Sequence, residues 1–366
     1  MNILIVTWRD LAHPLAGGSE VFVDRLAEGL LLKGNHVVVV CGRPTTTHRY
    51  PVVDGGGTYT QYLRAPIVCK KKFADFDLVV DVENGIPFFS PLWWRNAIIC
   101  LVHHVHTEQW RDRFPLPIAT LAAKVESKVM PLVYRKTMMV AVSDSTKQAL
   151  IDIGIEPSCI RVVHNGVDIP AIVYSKSQEP QFLVLGRLVP HKRVDLILNV
   201  WEQVRPVVGG KLIIAGEGPE MEHLKSTATA GVELLGRVDQ TTKERLLQES
   251  WFLVHAAHHE GWGLVIMEAA AAGTPSLAIT APGVQDAVID GVTGVLAPDA
   301  DHMAREWILL AKEEGRRMEL GTNAALRAKQ FNWDNQVEQF LQVVDEVKTC
   351  NHRRYLNKKT KRLARW

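Results

Sequence analysis

Two glutamates, Glu260 and Glu268, bracket the stretch EGWGLVIME. Gly261 and Gly263 flank Trp262 between an apolar run and an Ala-rich segment that reads as a helix. A glycine-rich loop at a helix N-terminus offers unpaired N–H groups and the positive end of the helix dipole. Beside carboxylates, that suits a phosphate or a polyol; an ordinary strand-loop-helix with exposed glutamates is the alternative. Arg187 and Lys192 stand together in GRLVPHK. A guanidinium fork and an ammonium point charge can converge on a diphosphate, or remain two solvated surface cations. His103, His104, His106 and Glu108 follow another apolar run. Consecutive strand residues point to opposite faces, and neither HExxH nor a second ligand cluster follows. This argues against a metal there and for a single histidine reaching a ligand at a strand's C-terminal end. Trp93 and Trp94, with Lys70, Lys71 and Lys72 nearby in sequence, could meet an acceptor. Packing under loops is the default for such aromatics.

These residues need strands and helices to hold them. Residues 3–7 form a short apolar run, followed by a loop ending in Gly17 and Gly18, a helix-spaced segment 21–32 and a second run 36–41. That order predicts a parallel, doubly wound sheet. A dinucleotide site, and with it a dehydrogenase, is a weak alternative, because the loop is not GxGxxG and Cys41-Gly42-Arg43 lacks the acid that would bind a ribose. Gly17 and Gly18 suit a backbone contact to phosphate, or a plain turn. Residues 54–58 read as a loop, 77–82, 97–102, 138–142 and 160–163 as strands, and Ser143 as a helix cap. The polar stretch 171–180 reads as a linker. A second alternation follows, with strands at 182–185, 211–215, 232–235, 251–256, 275–279 and 294–297. Its helices fall at 194–204, 241–250, 303–315 and 316–329, with a loop at 283–286 and a last helix at 332–347.

A chain of 366 residues is too long for one ordinary core. A net charge of +2 sets up no global field favouring nucleic acid. Five scattered cysteines without a CxxC pair point away from a disulfide framework or structural zinc, and towards a reducing, cytoplasmic compartment. The opening MNILIVTW reads as a strand rather than a signal peptide. No apolar run approaches the roughly 20 residues needed to span a bilayer. The last residues, NHRRYLNKKTKRLARW, carry Lys and Arg without an acid. They read as a disordered tail, or as a segment whose Tyr355, Leu356, Leu363 and Trp366 touch anionic lipid at the inner membrane face.

Taken in order, GGSE at 17–20, His103, AVSDSTKQAL at 141–150, NGVD at 165–168, GRLVPHK at 186–192, GEGP at 216–219, LGRV at 235–238 and EGWGLVIME at 260–268 resemble the retaining GT-B glycosyltransferases of family 4, the group 1 type. The resemblance implies an α/β fold of two Rossmann-like doubly wound domains facing across a cleft. An acceptor domain would cover 1–170, a linker 171–180, a donor domain 181–331, a returning helix 332–350 and a basic tail 351–366. It implies hexosyl transfer from a UDP- or GDP-sugar to a glycan, lipid-linked or small-molecule hydroxyl, with no metal and no cofactor. Arg187 and Lys192 would neutralise the leaving diphosphate, and Gly17 and Gly18 would approach it. Glu268 would bind the ribose, and Arg237 and Val238 would lie at the base. Glu260 and the amides of Gly261, Trp262, Gly263 and Leu264 would hold the sugar. His103 would sit over sugar and acceptor, with Trp93, Trp94, His104 and His106 towards the acceptor. The family often has Glu where this chain has Asp286, and Phe where it has Trp262, which would narrow the sugar pocket. A nucleotide-sugar epimerase on this fold, or a non-catalytic binding module, are the alternatives.

Overall fold

In the computed structural model, residues 1–13, 16–44, 48–107, 109–110 and 114–363 are described, with 351–363 as helical backbone. Glu108 and Trp366 lie outside the described residues, as do the side chains of Tyr355, Leu356 and Leu363. The chain divides into two compact units, Met1–Asn165 with Trp333–Trp366, and Gly166–Asn332.

The first unit is built on a seven-stranded sheet. Its strands are β1 (Asn2–Val6), β2 (His36–Gly42), β3 (Val52–Gly56), β4 (Leu78–Glu83), β5 (Ala97–Val102), β6 (Met138–Ala141) and β7 (Ile160–Val162). They lie in the order β3-β2-β1-β4-β5-β6-β7, every neighbouring pair parallel. β1, β2 and β5 are apolar and buried almost end to end, as strands covered by helices on both faces must be, and β4 is wholly buried although it carries Asp81 and Glu83. Residues 54–58, expected as a loop, instead contribute Asp54, Gly55 and Gly56 to β3, an edge strand pairing only with β2. With one neighbour and two glycines, that strand carries no apolar alternation to announce it. Ser143 caps the helix Asp144–Asp152, its side chain accepting from the Thr146 N–H at 3.0 Å. The helix Trp333–Leu363 packs in this unit, where Lys33 pairs with Glu338 and Phe22 meets Trp333 edge-on.

The second unit holds β8 (Gln181–Leu185), β9 (Lys211–Ala215), β10 (Val232–Gly236), β11 (Phe252–His255), β12 (Ser276–Ile279) and β13 (Gly294–Ala297). The order β10-β9-β8-β11-β12-β13 is again wholly parallel. Its core gathers Phe182, Trp201, Phe252 and Trp307, ring against ring. Residues 171–180, expected as a linker, are tied to this unit. The Tyr174 N–H donates to Gln248 Oε1 at 2.9 Å, and Lys176 Nζ donates to the Ser250 carbonyl and the Thr274 hydroxyl. Asp286, expected in a loop, lies in the short helix Val284–Ala287. Among the described residues no helix is long and apolar enough to cross a membrane.

Candidate active site

In the second unit the strand order reverses between β8 and β11. Ligands of open α/β sheets bind outside the carboxyl ends of strands at such a point. The segment after β8 carries Arg187 and Lys192, and the one after β11 carries Glu260. The two are joined by the His258 N–H donating to the His191 carbonyl at 3.1 Å. Lys192 closes a short 3-10 turn, Pro190–Lys192, before the helix Val194–Val208. Its ammonium pairs with Glu260 Oε1, and His255 Nε2, at the end of β11, lies 2.9 Å from the same oxygen. Burial alone would raise the Glu260 carboxyl, but Lys192 and then His255 outweigh it and hold the group well below the usual carboxylate range. Arg187, Lys192 and His255 line one hollow at these strand ends.

Glu260 is fixed from behind. Its N–H donates to the Pro282 carbonyl at 3.2 Å, and Gly283, at φ +78°, backs directly onto its carbonyl, where a Cβ would collide. Gly283→Ala is therefore expected to cost about 1–3 kcal/mol, the range for a non-glycine residue held in strained backbone. Urea denaturation measures that loss, and an unchanged midpoint would contradict the close contact. Gly263, at φ +72°, turns the chain into the helix Leu264–Ala271. Glu268, on that helix, pairs with Lys243 Nζ at 3.0 Å, a partner not foreseen from sequence. Arg237 is exposed and Val238 half-buried just beyond β10. Trp262 departs from expectation. Its side chain is buried against Phe331, with ring centroids 5.2 Å apart, so it packs beneath the loop.

In the first unit, Gly17 and Gly18 begin the helix Gly18–Leu32. The Gly17 N–H, expected to face phosphate, already donates to Glu20 Oε2 at 2.7 Å. Glu20 is buried. Burial opposes its charge, but Arg9 at 2.8 Å and the Gly17 amide keep its carboxyl below the ordinary value. His103 follows β5. It is 5% exposed, lies edge-on to Phe22, and has no hydrogen-bond partner at Nε2 among the described residues. Burial pushes its imidazole down to about 4, against a smaller upward pull from Glu20. His104 bonds Gln109 Oε1 at 3.0 Å, whereas His106 is buried beside Glu126. Trp93 and Trp94 pack with Phe76 and Phe88 in an internal cluster, and Trp94 is buried. They are packing residues here, not exposed aromatics.

Sequence reading missed Glu83 and Glu126. Glu83 ends β4, and Glu126 lies on a π-helical turn, Val125–Val129, between the helical segments Leu116–Lys124 and Met130–Tyr134. An acid alone in such a segment gives no periodic signal.

Residues 168–327 match the family model for glycosyl transferases group 1, and residues 16–170 that for glycosyltransferase family 4. The chain is 33% identical over 216 residues to a D-inositol 3-phosphate glycosyltransferase of Streptomyces bingchenggensis, covering 50% of this chain and 46% of that one. It is 28% identical over 192 residues to an uncharacterized glycosyltransferase of Methanocaldococcus jannaschii, covering 51% and 53%. The matches thus span about half the length of these relatives. The crystal structure of HepE from Anabaena in complex with UDP and glucose superposes with a TM-score of 0.77 at 18% identity, over 94% of this chain and all of that one. That likeness is one of fold.

Proposed function

We propose that this chain, which belongs to the group 1 glycosyltransferases, moves a hexosyl unit from a nucleotide-sugar to an acceptor hydroxyl, with retention at the anomeric carbon and without a metal at the donor. The observation that carries this reading is the ion pair Lys192–Glu260, held with His255 beside Arg187 at the strand reversal of the second unit. Lys192 and Arg187 receive the diphosphate as it leaves, their charges already in place before reaction. As Lys192 turns to the phosphates, Glu260 is released to accept hydrogen bonds from sugar hydroxyls. Glu268 holds the ribose, exchanging Lys243 for hydroxyl donors. His103, neutral around pH 7, serves the sugar and acceptor side. The acceptor is a glycan or lipid-linked hydroxyl in envelope or polysaccharide synthesis.

The test is a thermal-shift screen with UDP, GDP, ADP and their sugars, in buffer without divalent metal. UDP is the first choice, because HepE is the protein described with UDP and glucose. A nucleotide at 100 times its dissociation constant is expected to add about 2.7 kcal/mol of stability. A response to one base identifies the donor class. No response to any nucleotide or nucleotide-sugar would remove the reading in favour of a non-catalytic module.

A further inference from the structure

The first unit carries a second chemical cluster, in which His106, expected on the acceptor side, stands with two buried acids that have no part in the proposed transfer. Glu83, His106 and Glu126 are all buried, and one ligand atom from each lies within 4.8 Å of the others. They come from three separate elements, which are the end of β4, the segment after β5, and the π-helical turn. His106 Nδ1 and Glu126 Oε1 are 3.6 Å apart, close to the ~3.4 Å edge of a tetrahedron with bonds of about 2.1 Å to a zinc-class ion.

The surroundings orient these groups as outer partners orient metal ligands. Trp110 Nε1 donates to Glu126 Oε2 at 2.9 Å, Thr107 Oγ1 to the same oxygen at 3.4 Å, and the His106 N–H to Glu126 Oε1. The Gly85 N–H donates to Glu83 Oε1. Glu83 Oε2 is left fully buried, with no hydrogen-bond partner among the described residues. No lysine or arginine pairs with either carboxylate among the described residues. Gly85, at φ +104°, lets the Trp110 ring come so close that a Cβ would lie 2.6 Å from it. The backbone is shaped to bring that indole donor to Glu126.

We propose that Glu83, His106 and Glu126 form a binding site for one divalent transition-metal ion of the zinc class. Two carboxylates and an imidazole are a donor set suited to such an ion. A dication there neutralises two buried acids and occupies the open lone pairs of Glu83 Oε2. It also ties the segment that carries His103 to β4 and the π-helical turn. The ion has no part in the transfer proposed above, and the inference does not depend on that reading.

The experiment is a Co2+ titration of the full chain after chelator stripping, followed by visible absorption and by displacement with Zn2+. One equivalent is expected to bind, giving the intense d–d bands of a four- or five-coordinate site that Zn2+ abolishes. Glu83→Gln and Glu126→Gln are expected to lose the bands while keeping the wild-type circular dichroism. Trp110→Phe removes only the indole donor and is expected to weaken Co2+ by about 10- to 100-fold. Bands that persist unchanged in both glutamine variants would overturn the site. So would the absence of stoichiometric binding by the wild type. Should a glutamine variant fail to fold, the wild-type spectrum and the Trp110→Phe affinity decide. An octahedral, weak spectrum or an unchanged affinity then counts against the proposal.

Discussion

Lys192→Ala is expected to lower turnover by about 10²- to 10³-fold at saturating donor, the usual loss when one preorganised group facing developing negative charge is removed. Two effects must be separated. Removing the ammonium also leaves Glu260 with His255, 2.9 Å away, as its remaining close neighbour, and a half-buried acid that loses its ion-pair partner destabilises the fold. Both side chains keep some solvent contact, 18% for Lys192 and 13% for Glu260, so solvent screening moderates that structural loss. Melting curves record it directly. Turnover measured well below the variant's own melting temperature records the chemical loss. If Lys192→Ala folds and turns over as the wild type does, the assignment of Lys192 to the diphosphate fails. Lys192→Arg keeps charge but changes its geometry, and is expected to recover only part of the activity.

The second large effect is on stability against pH. His103 is buried and its imidazole lies at about 4, below its ordinary 6.5. Between these values the unfolded chain binds a proton at this position that the folded chain does not. Stability therefore falls as pH drops from about 6.5 to about 4. The full difference corresponds to about 3 kcal/mol at 1.36 kcal/mol per pH unit. Urea midpoints of the wild type and His103→Gln, taken from pH 7 to pH 4, isolate this contribution. The wild type should lose more stability than the variant over that window. Parallel curves would show that the buried imidazole does not control the acid limb. The same value makes the imidazole a neutral acceptor or donor across the neutral range, so an activity profile between pH 6 and pH 8 should show no His103 titration.

The two parallel sheets were legible because buried parallel strands are nearly continuous apolar runs, as in β1, β2 and β5. Their parallel, doubly wound character followed from the strand-helix alternation, whereas the strand orders were not assigned from sequence. β3 was not legible, since an edge strand ending in two glycines has no apolar face to advertise. The stretch 116–134 was not assigned from sequence, and its helical run is broken by the π-turn that places Glu126. Within the candidate site, Arg187, Lys192 and Glu260 stood out by residue type and spacing with solvated surface charges as the alternative, and their roles came from the family resemblance. Their pairing was not legible, because the residues 187–192 and 260 meet only through tertiary structure. His255 was hidden for another reason. It ends an apolar strand, so sequence presents it as one polar residue in a buried run. Trp262 illustrates the reverse case, where a conspicuous aromatic in the loop supports the loop's underside.

The Lys192–Glu260 pair also bears on which ligands the free protein refuses. An inorganic anion arriving at Lys192 must compete with a carboxylate already in contact with it. Such an anion brings nothing to satisfy Glu260, which would be left half-buried beside an incoming negative charge. A nucleotide-sugar brings hydroxyl donors for Glu260 together with phosphate oxygens for Lys192, so each half of the pair receives a new partner. On the proposed reading, the pair weakens the hold on phosphate and sulfate relative to a nucleotide-sugar. If the proposed transfer holds, the same contact re-forming once the sugar has left would favour release of the nucleotide product.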